Sequence, residues 1–135
     1  MQFFKVYLLT LVIFFLVDIL WLGVISKKLY KEYLGDFMAP KVNWTAALIF
    51  YFLFIVVLVF FVIMPAIEKG SLTNAILVGA FFGLITYGTY DLTNLATLKD
   101  WPLNITIIDL IWGTFLNATT AGLTYYVATT WLHIK

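Results

Sequence analysis

Three aspartates, Asp18, Asp91 and Asp109, stand inside long apolar stretches of this chain. A carboxylate in hydrocarbon is costly and needs a partner, so an acid in such a stretch is a functional-site candidate by default. Asp18 and Asp109 each have a tryptophan three residues on, Trp21 and Trp112, while Asp91 has Asn94. Positions i and i+3 share a helix face, which puts an aromatic or amide companion beside each acid. Arginine is absent, all eight basic residues are lysines, and no lysine is placed to neutralise the three acids. The carboxyls therefore have three ways out. They can be protonated, they can share protons with tyrosine, asparagine and water, or they can hold a cation from outside. A carboxyl layer flanked by tryptophan and tyrosine suits an organic cation through charge pairing and cation–π contact, and its oxygens also suit hard metal ions. The plainer alternative is that these polar groups only hydrogen-bond neighbouring helices.

The remaining inventory excludes much other chemistry. There is no cysteine, so disulfides, thiolate metal sites and thiol nucleophiles are ruled out. The single histidine, His133, lies two residues from the end, which leaves no buried imidazole for haem or di-iron ligation. Ser26 and Ser71 both fall at the ends of apolar runs, so no buried serine nucleophile is available. No tandem acidic motif of a metal-dependent phosphotransferase occurs. Net charge is +1 with no basic patch, which gives nucleic acid no footprint. No metal site, cofactor or catalytic residue is assigned, and the balance is against an enzyme.

The elements that must position the acids follow from composition. Of 135 residues, 64% are hydrophobic and 11% charged, too apolar for a water-soluble core. Four runs are long enough to cross roughly 30 Å of hydrocarbon as helices, at 3–25, 43–64, 73–98 and 103–132. The first is too long for the apolar core of a signal peptide, is interrupted by Asp18 and lacks a small-residue cleavage site. The polar segment from Ser26 to Val42 separates the first two runs, and Pro65 is expected to end the second, before the turn Glu68-Lys69-Gly70. Lys99-Asp100-Trp101-Pro102 makes a hairpin between the last two. The stretch from Phe52 to Ile63 has no polar side chain and is expected to face mostly lipid. The fourth run exceeds the needed length and must tilt or leave the membrane. Continuous apolar runs without alternation favour helices over a barrel.

Helix geometry then predicts convergence. Asp18 and Asp91 lie about seven residues before the ends of their runs and Asp109 about six after the start of its own, all at one side, so a rise of about 1.5 Å per residue puts each carboxyl roughly 10 Å deep. Gly79, Gly83, Tyr87 and Asp91 recur every four residues, with glycine spacing that permits close helix approach. Asp109, Gly113, Asn117 and Thr120 form a second polar stripe, and Asn43, Ala47 and Tyr51 a third. Trp44 and Trp101 are read as interface anchors.

Several strings are specific: Asp18-Ile19-Leu20-Trp21-Leu22-Gly23, Ala39-Pro40-Lys41-Val42-Asn43-Trp44, and above all Tyr87-Gly88-Thr89-Tyr90-Asp91-Leu92-Thr93-Asn94-Leu95-Ala96-Thr97. With Trp101-Pro102 and Asp109-Leu110-Ile111-Trp112-Gly113, they resemble a bacterial family of small four-span membrane proteins known as a domain of unknown function, DUF2177. The resemblance covers nearly the whole chain. Asp18, Asn43, Tyr87, Asp91, Asn94 and Asp109 match the polar positions of the family pattern. It implies a bacterial inner-membrane protein and supplies no activity, substrate or cofactor.

The reading is an all-α, polytopic membrane protein: one transmembrane domain over 1–135, built as a four-helix bundle. Its expected work is binding or transport of a cation, proton or amphiphilic small molecule at an Asp/aromatic layer of Asp18, Trp21, Asn43, Tyr51, Tyr87, Asp91, Asn94, Asp109 and Trp112. The alternatives are a lipid-modifying enzyme or its accessory subunit, and a structural scaffold. Partners are the lipid bilayer, a cation, proton or lipid ligand, and a second copy as homodimer, since four spans enclose little volume. The loops joining spans one to two and three to four hold Lys27, Lys28, Lys31, Lys41 and Lys99, against Lys5, Lys69 and Lys135 on the other side. The positive-inside rule therefore puts both termini outside the cell. Single cysteines at positions 31 and 99 are then shielded from an impermeant thiol reagent in intact cells, and one appended after Lys135 reacts. The reverse labelling pattern would invert the orientation.

Overall fold

The computed structural model describes residues 2–21 and 43–134, which form four long helices with no strand among them. These are α1 (Gln2–Leu20), α2 (Trp44–Lys69), α3 (Leu72–Thr97) and α4 (Leu103–Thr130). The polar segment between α1 and α2, with the last residues expected of the first span, lies outside the described residues. α1, α2 and α3 are each long and apolar enough to cross a membrane. α4 has 28 residues, about 42 Å of helix, but is more polar. Its inner face buries Thr106, Asp109, Asn117, Thr120 and Thr124. The face that α4 turns to the other helices can carry such residues where a lipid-facing one cannot. Large apolar side chains cover the outside of all four helices, among them Leu16, Phe60, Phe81 and Ile111, each more than half exposed. The architecture is an all-α membrane bundle.

α2 departs from the sequence reading in two respects, with one cause. It does not face mostly lipid between Phe52 and Ile63, because half of that stretch is buried. The buried residues come in pairs four apart, Phe54-Ile55, Leu58-Val59, Val62-Ile63 and Ala66-Ile67. A repeat of four drifts around an α-helix of 3.6 residues per turn. The drift is absorbed by a π-helical turn at Val59–Ile63, whose wider spacing returns the stripe to the core. The same turn explains why Pro65 does not end the helix. A proline ring clashes with the carbonyl four residues back in a regular helix, and the widened turn has already altered that bonding. Pro65 instead sits in the first turn of the closing segment Met64–Lys69. α2 stops five residues later than expected, at Gly70, whose φ of 65° is left-handed. The Ser71 N–H bonds the Ala66 carbonyl at 3.1 Å, and the Ser71 side chain caps α3 by accepting from the Asn74 N–H at 3.0 Å.

The closest pair in the bundle is α3 and α4. Gly83 faces Gly113 so tightly that a methyl group on Gly83 would overlap the Gly113 backbone carbonyl. One turn away, a methyl on Gly79 would lie 2.8 Å from the Asn117 carbonyl oxygen. Both obstacles are backbone and cannot rotate aside. On the α4 side, Asn117 donates from Nδ2 to the Gly113 carbonyl one turn back in its own helix, at 2.8 Å. α1 packs mainly on α4, and α2 closes the bundle against α1 and α3.

Glycine position thus separates harmful from harmless changes within one helix. Gly83→Ala should cost about 1–3 kcal/mol through overpacking, and Gly83→Leu should disrupt assembly. Gly88→Ala meets only the side chains of Leu110 and Leu92, at an ordinary 3.4 and 3.5 Å. It should be tolerated, as should Phe60→Leu on the outer face. Thermal unfolding in detergent measures all four. Equal losses at Gly83 and Gly88 would refute the backbone-contact geometry.

Candidate functional site

The Gly83–Gly113 crossing leaves room for one large side chain. A methyl group on Gly113 would collide with the ring of Tyr87, so the absence of a side chain there lets Tyr87 lie across α4. Tyr87 is the hub of the site: Asp18, Tyr51, Asp109 and Asp91 are all within electrostatic reach of it. The carboxyls of α1, α3 and α4 thus gather around one phenol.

Each acid has its own surroundings. Asp18 is 4% exposed and accepts a hydrogen bond from the Tyr51 hydroxyl at 3.0 Å. The indole of Trp112 lies beside it. The Trp112 N–H is buried and not in hydrogen-bond geometry with any described acceptor. Asp91 is fully buried, and neither of its oxygens has a hydrogen-bond partner among the described residues. Asp109, 5% exposed, lies close enough to interact with it directly. The arrangement is therefore a facing pair, Asp91 and Asp109, with Asp18 bonded to Tyr51 and also within reach of Tyr87. Among the described residues, no group of three or more acids or histidines converges tightly enough to hold a metal ion.

Aromatic residues wall the cluster. Trp21 and Trp112 stack with ring centroids 4.5 Å apart and planes 10° from parallel, joining α1 to α4. Trp101 is not an exposed anchor: it is 7% exposed, donates from Nε1 to Thr106 Oγ1 at 3.1 Å, and meets Tyr90 edge-on at 5.8 Å. Its place at the start of α4 puts it inside the hairpin. Trp44, by contrast, is 67% exposed. Of the two amides expected in the layer, Asn43 stands apart from it. Asn43 is exposed and spends its side-chain oxygen capping α2, accepting from the Ala46 N–H at 3.1 Å. Asn94 pairs with Tyr90 one turn beyond Asp91.

The structure adds a feature that stripe analysis missed. A cavity of about 640 Å³ opens between α2 and α3, with Phe14 of α1 at its back. Phe50 and Phe54 give it an apolar wall, and Tyr51, Tyr87 and Tyr90 face it where it approaches the acids. Thr86 and Thr89 also line it, but their hydroxyls bond carbonyls of their own helix, at 3.3 and 2.7 Å, so they add little polarity. The available signal was the position of Phe14, one helical turn before Asp18 on the same face.

No curated protein and no solved structure matches the chain. A family model described as a predicted membrane protein, DUF2177, matches residues 3–126, a span that takes in all three aspartates and the hub tyrosine. The chain belongs to the DUF2177 family of membrane proteins.

Proposed function

We propose that this protein binds an amphiphilic organic cation, taken from the membrane through the cavity between α2 and α3. The observation that carries this reading is a buried pair of facing carboxyls, Asp91 and Asp109, within electrostatic reach of Tyr87, which itself lines a largely apolar cavity. Two facing acids in a medium of low dielectric cannot both hold a charge without a counter-ion. A protonated amine supplies that charge. Its apolar body fits against Phe50 and Phe54, and the rings of Tyr51 and Tyr87 offer cation–π faces at the boundary. A volume of about 640 Å³ is in the range of small-molecule sites, which combine apolar walls with few polar groups. With the cavity empty, the pair is neutralised by a proton instead, so ligand and proton compete for one site.

Thermal stabilisation in detergent is the test. A panel of quaternary ammonium compounds of increasing chain length should raise the melting temperature, and neutral amphiphiles of matched length should not. Stabilisation by neutral lipids alone would favour the lipid-modifying alternative, and no response to either would favour a scaffold. Asp91→Asn should weaken the binding of the best cation by about tenfold or more, as expected for loss of a buried charge partner. Phe60→Leu, on the outer face, should change it little. Equal affinity in wild type and Asp91→Asn would remove the site from the cluster.

A further inference from the structure

The inner face of α4 carries a second polar feature beyond the carboxyl cluster. Asn117, Thr120 and Thr124 are fully buried, and Asn117 Oδ1, Thr120 Oγ1 and Thr124 Oγ1 have no hydrogen-bond partner among the described residues. Threonine in a helix has an easy remedy, a bond to the carbonyl one turn back. Other threonines here use it: Thr10 bonds Val6 at 2.7 Å, Thr114 bonds Leu110 at 2.7 Å and Thr129 bonds Tyr125 at 2.8 Å. Thr114 and Thr129 are on α4 itself, so that helix allows the bond. Thr120 and Thr124 forgo it and leave their hydroxyls without a backbone partner. Their spacing, three and then four residues after Asn117, keeps all three groups on one edge over about 10 Å of helix. That edge adjoins the contact with α3, which uses Ala121 and the Asn117 backbone against Gly79.

Orphaned hydroxyls in the middle of a bundle are costly unless something bonds them, and bound water is the usual partner. We propose that Asn117, Thr120 and Thr124 hold a file of water that carries protons along α4, between the carboxyl cluster and the far end of the bundle. Tyr87, lying over Gly113 between Asn117 and Asp109, joins the file to the acids. Each step breaks one O–H bond on the donor oxygen and forms one on the next. A proton entering the file at Thr124 thus delivers one proton to a cluster carboxylate at the other end. The path does not depend on the organic-cation reading. Should that reading hold as well, the path supplies the proton that competes with the cation.

The near-isosteric double variant Thr120→Val/Thr124→Val tests the proposal by two readouts. If the hydroxyls anchor water, valine removes those bonds and the melting temperature in detergent falls. If they are dry orphans, valine relieves them and it rises. In vesicles driven by a potassium diffusion potential with an entrapped pH dye, wild-type protein should pass protons faster than protein-free vesicles. The double variant should lose that excess. A raised melting temperature, wild-type flux no greater than that of protein-free vesicles, or flux unchanged in the variant would each overturn the water file. Cation binding, measured separately in detergent, is untouched by any of these outcomes.

Discussion

Everything at the centre of this protein depends on two helix backbones meeting without side chains between them. Gly83 and Gly113 bring α3 and α4 together, and in lipid that approach has unusual value. Association there gains nothing from the hydrophobic effect, because the tails outside are as apolar as the interior; it relies on close packing and on hydrogen bonds between helices. The same contact sets the chemistry. It brings Asp91 opposite Asp109, and the bare Gly113 surface gives the Tyr87 ring its resting place.

The rest of the bundle arranges polarity around that contact. α1 brings Asp18 and Trp21, and α2 brings Tyr51 to bond Asp18 across the bundle. The half of the core away from the acids is filled by aliphatic and aromatic residues of α1 and α2, with Ile55, Leu58, Val59 and Ile63 fully buried. α2 is thus nearly all apolar at one end and contributes a phenol at the other. Its π-helical turn lets both ends face inward, despite a repeat of four that a regular helix would wind away from the core.

Much of this was legible in the residues. Distance from the ends of the apolar runs could be counted, and together with the shared helix faces it suggested that Asp18, Asp91 and Asp109 are neighbours. The stripe Gly79, Gly83, Tyr87, Asp91 exposed the packing face of α3, because glycine in a membrane helix has few other uses. What was not legible depended on partners rather than spacing. Nothing local distinguishes Asn43 as a cap from Asn43 as a ligand, since the competing donor is a backbone N–H. Trp101 looked like an interface anchor until the hairpin folded it against Thr106 and Tyr90. The continuation of α2 past Pro65 required a widened turn, for which an unbroken apolar run gives no sign. The cavity between α2 and α3 was invisible because it is made by three helices and not by any one of them.

The stacked indoles of Trp21 and Trp112 have a consequence beyond their packing. Two chromophores 4.5 Å apart and nearly parallel exchange excitation instead of absorbing independently. Their coupled transitions belong to the pair, so the near-ultraviolet circular dichroism of the protein carries a signature that neither tryptophan has alone. One ring comes from the end of α1 and the other from α4, and Asp18 lies beside the second. Any event that shifts α1 against α4, or changes the charge on Asp18 beside Trp112, alters that signal. The molecule therefore carries its own optical gauge, in ordinary residues and without a label, at the place where its acids meet.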